Sequence, residues 1–430
     1  MSEQAIGISL LLGSFLGLLF IRIPIALALG LSSVLTAVYL GMPLMMIGQK
    51  MANSMFSFTF LAVPFFILMG NLMTEGGIAD RLIRFADVLV GRVRGGLAQG
   101  NVVASALIGG ISGSAVADVA SIGSFMIPAM RQRGYTSEYA VAVTVTSAVQ
   151  GILIPPSQNM IYYALAAGGL PLTSLFIAGY VPGILLGVAL MGLCWWMAVR
   201  HNHPRGESYD LRSGLAVMAQ ASIGLFTMVI IIGGILAGIF TATESAAVAL
   251  VYALFVTLFV YRSMNAQQVR RVISGTLKSL SVVSAIIMTS SAFGFLLSYL
   301  QVPAMLSDGI LGISSNPIII LLLLNLLLLA LGLIMDMGVL ILIVTPILLP
   351  IATSIGVDPI HFGIIMMLNL GIGLCTPPVG LSLMVGCGIG RVSIERTIGT
   401  MIPFYLVMIA VLMLVTFVPS ISLGLGNLLK

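Results

Sequence analysis

The sequence GISGSAVADVASIGSFMIPAMRQRG, residues 110–134, and the sequence GILIPPS, residues 151–157, decide the fold because their backbone plan recurs further along the chain. An offset of 222 residues aligns residues 110–168 with residues 332–390. The copies are identical at seven positions, and each identity is a glycine or a proline, the residue types that control where a backbone turns or breaks. The identical pairs are Gly110/Gly332, Pro128/Pro350, Gly134/Gly356, Gly151/Gly373, Pro155/Pro377, Pro156/Pro378 and Gly168/Gly390.

Each copy begins with two apolar arms that meet at a small or polar tip. The tip of the first copy is Ser-Gly-Ser at residues 112–114, and that of the second is Met-Asp-Met-Gly at residues 335–338. We estimate about 11–14 residues for each arm, or about 16–21 Å of helix, which is too short to cross a hydrocarbon core. The pattern therefore predicts a re-entrant helical hairpin in each copy.

A longer apolar stretch with a central proline pair follows each hairpin, at residues 139–167 and 361–389. Two adjacent prolines remove two backbone donors and clash with the preceding turn, so both stretches are predicted to be helices broken at membrane depth. Non-helical backbone survives at that depth only beside protein or a watery cavity. The two breaks are therefore candidate binding regions.

The composition excludes a soluble domain. Of 430 residues, 59% are hydrophobic and only 7% are charged, which is too little charge to solvate a surface of that size. The three cysteines have no paired spacing, so neither a disulfide framework nor a zinc site is indicated. The net charge of +5 is typical of basic cytoplasmic loops and needs no nucleic-acid partner. We predict an all-α polytopic protein of the lipid bilayer.

The apolar runs outside the two copies predict further spans. Each half is predicted to contain three spans, a hairpin, a broken helix and one more span, which makes five crossings and gives the two halves opposite orientations. These spans lie at about residues 5–21, 25–40, 56–73 and 174–199, and at about 215–239, 245–261, 279–300 and 400–418. The predicted domains are two sets of scaffold helices (1–96 and 214–318), two hairpin and broken-helix transport domains (97–168 and 319–390), a connecting span and loop (169–213) and the last span (391–430).

Charge supports the inversion independently. The loop after the first hairpin carries Arg131 and Arg133, whereas its counterpart at residues 353–358 has no lysine or arginine. The loop after the first broken helix, residues 169–173, is uncharged, whereas its counterpart carries two arginines. By the positive-inside rule, one consistent path places the N-terminus in the periplasm. Inverted repeats with discontinuous helices are typical of secondary transporters, although a kinked bundle without a site is an alternative.

The first tip is a candidate sodium site. Ser112 and Ser114 offer hydroxyls, and Gly113 lets main-chain carbonyls converge, which suits a hard cation with oxygen ligands. Carbonyls freed at the first break, including those of Ile154 and Pro155, are expected to complete the site.

The second tip offers a pseudo-symmetric sodium site, so we expect two or more coupling ions. Asp336 supplies a carboxylate there, Cys375 and Pro377 supply freed carbonyls, and Thr376 supplies a hydroxyl. Two helix N-termini near the tips favour an anionic substrate such as a carboxylate, and no arginine is predicted at that depth. The predicted substrate-binding residues are Ser112, Gly113, Ser157, Met337, Gly338 and Gly380.

Each polar residue also has a structural interpretation. A tip-one serine or Asp336 could simply cap the helix that follows it. Asp118 lies one turn into its arm, where the helix dipole favours an anion, and we interpret it as structural. Glu244 closes a capping box that begins at Thr241. Asn325, in a run of leucines, is expected to hydrogen-bond a neighbouring helix.

Enzyme motifs are nearly absent. The sequence contains neither a phosphate-binding loop nor an H-E-x-x-H motif. Gly110-Ile111-Ser112-Gly113 resembles the G-x-S-G of intramembrane serine proteases, but such a serine needs a histidine base. The three histidines, His201, His203 and His361, are predicted at membrane edges, so a protease is a remote alternative.

Several motifs together resemble the large membrane subunit, of the DctM type, of tripartite ATP-independent periplasmic (TRAP) transporters. The resemblance covers nearly the whole chain, and its one departure is Ala242, where the family usually has proline. The motifs are SGSA (112–115), ASIG (120–123), PAM (128–130) with GY (134–135), IPPS (154–157), FTATE (240–244), PILLP (346–350) and TPPVG (376–380).

The resemblance implies a sodium-driven importer of an organic acid in the bacterial inner membrane. It implies two partners, a periplasmic substrate-binding protein and a small four-helix membrane subunit, and an elevator mechanism in which the hairpins and broken helices slide as one block. No nucleotide or organic cofactor is expected. Stand-alone sodium/dicarboxylate symporters share the expected fold but carry an Asn-Thr tip signature that this sequence lacks, and they are the second interpretation.

Overall fold

Every regular element of the described chain is helical. The computed structural model describes residues 3–204, 211–314 and 316–428, and part of the predicted connecting loop, residues 205–210, lies outside them. The all-α prediction is confirmed. The helices are α1 Glu3–Phe20, α2 Ile25–Tyr39, α3 Leu44–Met55, α4 Ala62–Glu75, α5 Ile78–Val90, α6 Gly96–Ser112, α7 Ala115–Gln132, α8 Ser137–Ser147, α9 Gln150–Leu153, α10 Gln158–Ala166, α11 Leu172–Arg200, α12 Leu211–Leu236, α13 Ala242–Phe255, α14 Ala266–Tyr299, α15 Val302–Ile313, α16 Pro317–Gly332, α17 Met337–Ser354, α18 Pro359–Leu374, α19 Leu381–Gly390, α20 Ile394–Phe417 and α21 Ser420–Leu428.

Several helix starts follow local sequence signals. The predicted capping box at α13 is confirmed, because Glu244 N donates to the Thr241 hydroxyl and Thr241 N donates to the Glu244 carboxylate. A second box, Asn265 with Gln268, begins α14, whose 34 residues make it the longest helix described. The amphipathic helices α3 and α5 lie outside the predicted spans because polar residues interrupt their apolar runs.

The hairpin arms are longer than predicted. Helices α6, α7, α16 and α17 have 17, 18, 16 and 18 residues, so the estimate of about 11–14 is wrong. The prolines explain the error for two arms, because α7 continues past Pro128, and α17 continues through Pro346 and past Pro350. The other two arms begin early, α6 at Gly96 and α16 at Pro317. Packed membrane helices tolerate proline when neighbouring groups satisfy the freed backbone.

The chain breaks at both proline pairs, as predicted. Helix α9 ends at Leu153, the next helix begins at Gln158, and the two segments are bent by 48°. Helix α18 ends at Leu374, and α19 begins at Leu381 after Gly380 with a φ of +46°. Each break therefore exposes several peptide groups that no helix satisfies.

The helices pack in two sets. In the hairpin group (α6–α11 and α16–α20), α7 packs on α8 and α19, α10 packs on α17, and α16 packs on α18. Helices α11 and α20 belong to this group, because they contact each other and α8, α9 and α18. The flanking group (α1–α4 and α12–α14) is held by α14, which packs along α2, α3 and α4 and also contacts α17.

The ends of the two copies meet crosswise. Arg131, at the end of α7, donates to the carbonyl of Gly390 at 3.5 Å, so the first hairpin ends beside the second broken helix. The hydroxyl of Tyr163, near the end of α10, donates to the carbonyl of Pro359 at 2.5 Å, next to the loop that follows the second hairpin. Loops predicted on the same side of the membrane are therefore neighbours.

The helices have the length and composition of membrane spans. Among the described residues, eight helices are long and apolar enough to cross a membrane, or nine when the bent pair at the first break counts as one span. The chain is a multi-pass membrane protein. The ten crossings, the opposite orientation of the halves and the periplasmic N-terminus stay predictions.

Candidate functional site

Tip one is a tight helix-to-helix turn. Ser112 ends α6, Gly113 follows with a φ of +63°, and Ser114 caps α7 by accepting a hydrogen bond from Ala117 N at 3.4 Å. Glycine suits the middle position because a left-handed conformation strains other residues. The predicted cap by a tip-one serine is confirmed.

Asp118 lies buried directly behind this turn. The hydroxyl of Ser112 donates to its Oδ1 at 2.5 Å, and the residue has no exposed surface. Its second oxygen, Oδ2, is buried and has no hydrogen-bond partner. This oxygen lies so close to the chain that a Cβ at Gly151 would be 2.5 Å from it, and one at Gly109 would be 2.8 Å from it. A buried carboxylate oxygen without a partner needs a cation or a proton.

The first break supports tip one from the other side. A Cβ at Gly113 would lie 2.5 Å from Gln158 N, so the tip backbone rests on the start of α10. The side chain of Asn159 donates to the Gly113 carbonyl at 3.1 Å. The hydroxyl of Ser157 is buried without a hydrogen-bond partner. Two unpartnered buried oxygens, on Asp118 and Ser157, therefore accompany tip one.

Tip two has a different environment. Asp336 is exposed, and its carboxylate caps α17 by accepting a hydrogen bond from Gly338 N at 2.9 Å. Gly338 lies against the ring of Tyr162, since a Cβ there would be 3.3 Å from Cε2. The capping interpretation of Asp336 is confirmed, and a capping carboxylate still has lone pairs for a second partner.

Protein groups satisfy two polar groups of the second break. The hydroxyl of Tyr405, on α20, donates to the Cys375 carbonyl at 2.7 Å, and that of Thr376 donates to the Ile372 carbonyl at 2.7 Å. The break packs closely on the hairpin, because a Cβ at Gly373 would lie 2.6 Å from the carbonyl carbon of Gly332. Two polar groups of the break behind tip two therefore already have protein partners, whereas the Oγ of Ser382, at the start of α19, is buried without one.

Three helix starts line one cavity of about 160 Å³, the central cavity. They are residues 114–116 at α7, Gln158 and Asn159 at α10, and residues 336–339 at α17. The first N–H groups of a helix have no intrahelical acceptor and carry the positive end of its dipole. Three such ends facing one space favour an anion.

The central cavity contains a carboxylate and no basic side chain. Of the described residues that line it, Asp336 is the one charged residue. The flanking group closes the cavity with Val283 and Ile286 of α14. A second space of about 290 Å³, the Asp118 cavity, reaches Ser112, Ser114 and Asp118 beside Glu75 and also touches Val283. Helix α14 thus borders both spaces.

The structure brings together part of the predicted site. Ser114, Asp336, Met337 and Gly338 line the central cavity, and Ser112 lines the Asp118 cavity. The predicted ligands outside the lining of both cavities are Gly113, Ile154, Pro155, Ser157, Cys375, Thr376, Pro377 and Gly380.

Sequence reasoning missed three polar residues around the tips, namely Asn159, Gln158 and Tyr162, and it did not anticipate the unpaired oxygen of Asp118. The one signal for the three residues was that they follow the proline pair directly, where a new helix must begin. The predicted hydrogen bond of Asn325 to a neighbouring helix is confirmed, because its side chain donates to the Thr416 hydroxyl on α20 at 3.3 Å.

The protease alternative finds no support. The hydroxyl of Ser112 donates to Asp118, and no histidine lines either cavity among the described residues. His361 is a buried residue of α18, and its Nδ1 pairs with the Ser422 hydroxyl of α21 at 2.6 Å. Its prediction at a membrane edge did not anticipate this buried pairing.

The chain is similar to known transporter proteins. Over residues 12–421 the chain matches the family described as tripartite ATP-independent periplasmic transporter, DctM component. It is 39% identical to the C4-dicarboxylate TRAP transporter large permease protein DctM of Rhodobacter capsulatus, over 98% of this chain and 99% of that one. It is 37% identical to the sialic acid TRAP transporter large permease protein SiaM of Vibrio cholerae, over 88% and 89%.

A solved structure supports the fold alone. The YdaH transporter of Alcanivorax borkumensis superposes with a TM-score of 0.66 over 90% of each chain at 13% identity. The family and its named relatives are permeases for secondary solute uptake and not enzymes, which removes the protease alternative. The predicted resemblance is confirmed, and the chain belongs to the DctM component family of the tripartite ATP-independent periplasmic transporters.

Proposed function

We propose that this permease imports an organic acid by sodium-coupled secondary transport, and that the acid binds in the central cavity. The observation that carries the proposal is the convergence of three helix N-termini on a space whose one charged side chain among the described lining is acidic. Main-chain dipoles attract the carboxylate of the substrate. Asp336 repels it unless a cation lies nearby, so substrate binding requires sodium.

Tip one supplies the better-founded sodium site. The unpartnered oxygens of Asp118 and Ser157 are buried behind the tip, and Ser112 is already hydrogen-bonded to Asp118. Oxygen donors of this kind suit a hard monovalent cation, and the carbonyls of Ile154 and Pro155 lie in the adjoining break. Sodium there neutralises the buried charge and increases the positive potential at the start of α7.

Tip two supplies the second sodium site through Asp336. Its carboxylate faces the central cavity and has one protein donor, Gly338 N. Thr376, Pro377 and the Cys375 carbonyl contribute from the second break, where Cys375 must share its carbonyl with Tyr405.

An elevator motion fits the packing. The hairpin group contains both tips and both breaks, and α14 of the flanking group borders every cavity described so far. Cross-linking Ile286→Cys on α14 to Val339→Cys on α17 should stop uptake, and reduction should restore it. Uptake that continues with the cross-link formed would contradict the motion.

The family name implies three components. We propose that a periplasmic substrate-binding protein delivers the acid and that a small membrane subunit stabilises the flanking group in the bacterial inner membrane. The identity of the acid follows from chemistry only to the level of an organic anion. The relatives transport C4-dicarboxylate and sialic acid, as their names state, so we define the anion panel as succinate, sialic acid and gluconate.

The test is uptake into proteoliposomes that contain this chain and its two partners. We expect a sodium gradient to drive uptake of one member of the anion panel without ATP, because both tips are rich in oxygen ligands. Neutral mannitol is the control solute. Equal uptake when potassium replaces sodium would contradict sodium coupling, and uptake driven by a pH gradient would assign the buried carboxylate to protons.

Omitting each partner in turn separates the two transporter classes. A tripartite permease should lose most uptake without the binding protein. Full uptake by the purified single chain would instead favour a stand-alone sodium/dicarboxylate symporter.

A further inference from the structure

A third space borders the far end of α14. This space, the Lys50 cavity, has a volume of about 450 Å³ and lies between α3, α14 and α17. Leu342 of α17 lines both this cavity and the central cavity, so the two spaces adjoin. Along α14, Ile286 of the central cavity is about 6 Å from Ser290 and about 18 Å from Ser298, at 1.5 Å per residue.

Serines make this cavity polar. Four of five serine hydroxyls have partners within the protein, whereas the Oγ of Ser290 has none, although this residue is only 5% exposed. A buried hydroxyl without a partner is unfavourable, so Ser290 has a donor to offer to a ligand. The five are Ser54, Ser57, Ser290, Ser291 and Ser298.

Lys50 gives the cavity a positive charge. Its ammonium lies 4.8 Å from the ring centroid of Phe295, which also lines the cavity. The hydroxyl of Ser291 donates to the Lys50 carbonyl at 3.2 Å and joins α14 to α3. Among the described lining residues, Lys50 is the one charged residue, so the ammonium lacks a carboxylate partner within the cavity. A ring holds a cation in place while leaving it free to attract an anion.

The charge pattern along α14 has a direction. The Asp118 cavity, which touches the middle of α14 at Ser279 and Val283, contains Glu75 and Asp118, whereas the Lys50 cavity, toward the C-terminal end of the helix, contains Lys50. The α14 residues that line the cavities, from Ser279 to Ser298, span about 28 Å, close to the thickness of a hydrocarbon core. In the predicted orientation the Lys50 cavity opens toward the periplasm, the side from which substrate arrives.

We propose that the Lys50 cavity is a second binding site for an organic anion, with the Lys50 ammonium and the Ser290 hydroxyl as its carboxylate ligands. The acid binds there before it reaches the central cavity. The proposal rests on the proposed function for the substrate class. It differs in needing no sodium, because neither tip lines this cavity.

Labelling of an introduced thiol tests the site without transport. Ser54→Cys places the thiol in the cavity one helical turn from Lys50, and the three native cysteines are buried, so the unchanged chain is the labelling blank. The probes are an uncharged maleimide and millimolar succinate, sialic acid or gluconate, with mannitol as the neutral control. We expect one anion of the panel to slow labelling at least about fivefold, because the Lys50 ammonium attracts the anion into the cavity. The effect should be equal in sodium and in potassium buffer.

Matched variants make the result specific. Lys50→Gln and Ser290→Ala should reduce the protection to less than about twofold, because each removes one carboxylate ligand. Lys278→Gln, an exposed lysine on α14 that lines none of the three cavities, should keep it. Protection that survives Lys50→Gln or that appears only with sodium would overturn the site. So would a lack of protection by every anion of the panel. Absence of sodium-driven uptake would contradict the proposed function and leave this measurement interpretable.

Discussion

The two tips share a backbone plan and differ in where their carboxylate lies. In the first copy Gly109 meets Gly151, and in the second Gly332 meets Gly373, so each hairpin packs on its broken helix through paired glycines. Behind tip one, however, Asp118 is fully buried with one unpartnered oxygen, whereas at tip two Asp336 is exposed and caps its own helix.

The difference assigns unequal roles to the two copies. A buried charge must be neutralised, so a cation at tip one contributes to the stability of the folded protein. An exposed capping carboxylate is already solvated and gains less from a cation. We therefore expect sodium to bind more tightly at tip one and to act on substrate binding mainly through tip two.

The largest expected effect is that of Asp118→Asn. The substitution removes the buried charge and retains the shape, so the sodium site loses about 3 kcal/mol or more, equivalent to at least about a hundredfold in affinity. Sodium-driven uptake should collapse. The measurement is initial uptake rate against sodium concentration, with the exposed Asp308→Asn as control. A normal sodium curve for Asp118→Asn would return that residue to a purely structural role.

Gly113→Ala should have the next largest effect. The new Cβ would meet Gln158 N at 2.5 Å, and the φ of +63° adds strain, so the turn must move away from the first break. We expect uptake to fall at least about tenfold. If moving the turn costs substrate or sodium binding about 1.4 kcal/mol, that loss of free energy is enough.

Gly134→Ala is the matched control for that change. Its φ of +87° imposes a similar strain, but a Cβ there meets nothing within 4 Å. Comparable loss of uptake in both variants would mean that backbone strain, and not the position of tip one, is responsible.

Asp336→Asn should have a smaller effect. Asparagine caps a helix about as well as aspartate, so stability should change by less than about 1 kcal/mol. If the carboxylate binds sodium, half-saturating sodium should rise about tenfold, the effect of about 1.4 kcal/mol. Asp358→Asn is the control, because Asp358 is also an exposed cap and lines none of the cavities described. Equal sodium curves for the two variants would mean that Asp336 only caps α17 and does not bind sodium.

Local signals made part of this architecture predictable. The breaks at Pro155 and Pro377, the caps at Ser114 and Asp336, and the capping box that Glu244 closes depend on residues near one another in sequence. The structure has each of them. Backbone chemistry alone determines such features, so a single sequence suffices to locate them.

Features that depend on tertiary contacts were not predictable. The burial of Asp118 arises from the approach of Gly109 and Gly151, two backbone segments far from one another in the chain. The place of α11 and α20 in the hairpin group was hidden because both helices are apolar on nearly every face. The continuation of α7 past Pro128 likewise depends on neighbouring helices.

The central claim is that sodium binds at tip one through Asp118, and thermal unfolding of the purified chain tests it most directly. Sodium chloride should raise the melting temperature of the native chain above its value in potassium chloride at equal ionic strength, because a ligand present at about a hundred times its dissociation constant stabilises the folded state by about 2.7 kcal/mol. Asp118→Asn should lose most of this sodium-specific shift, because the remaining site at Asp336 binds sodium more weakly. A shift of the native size in Asp118→Asn, or equal melting of the native chain in the two salts, would contradict the claim.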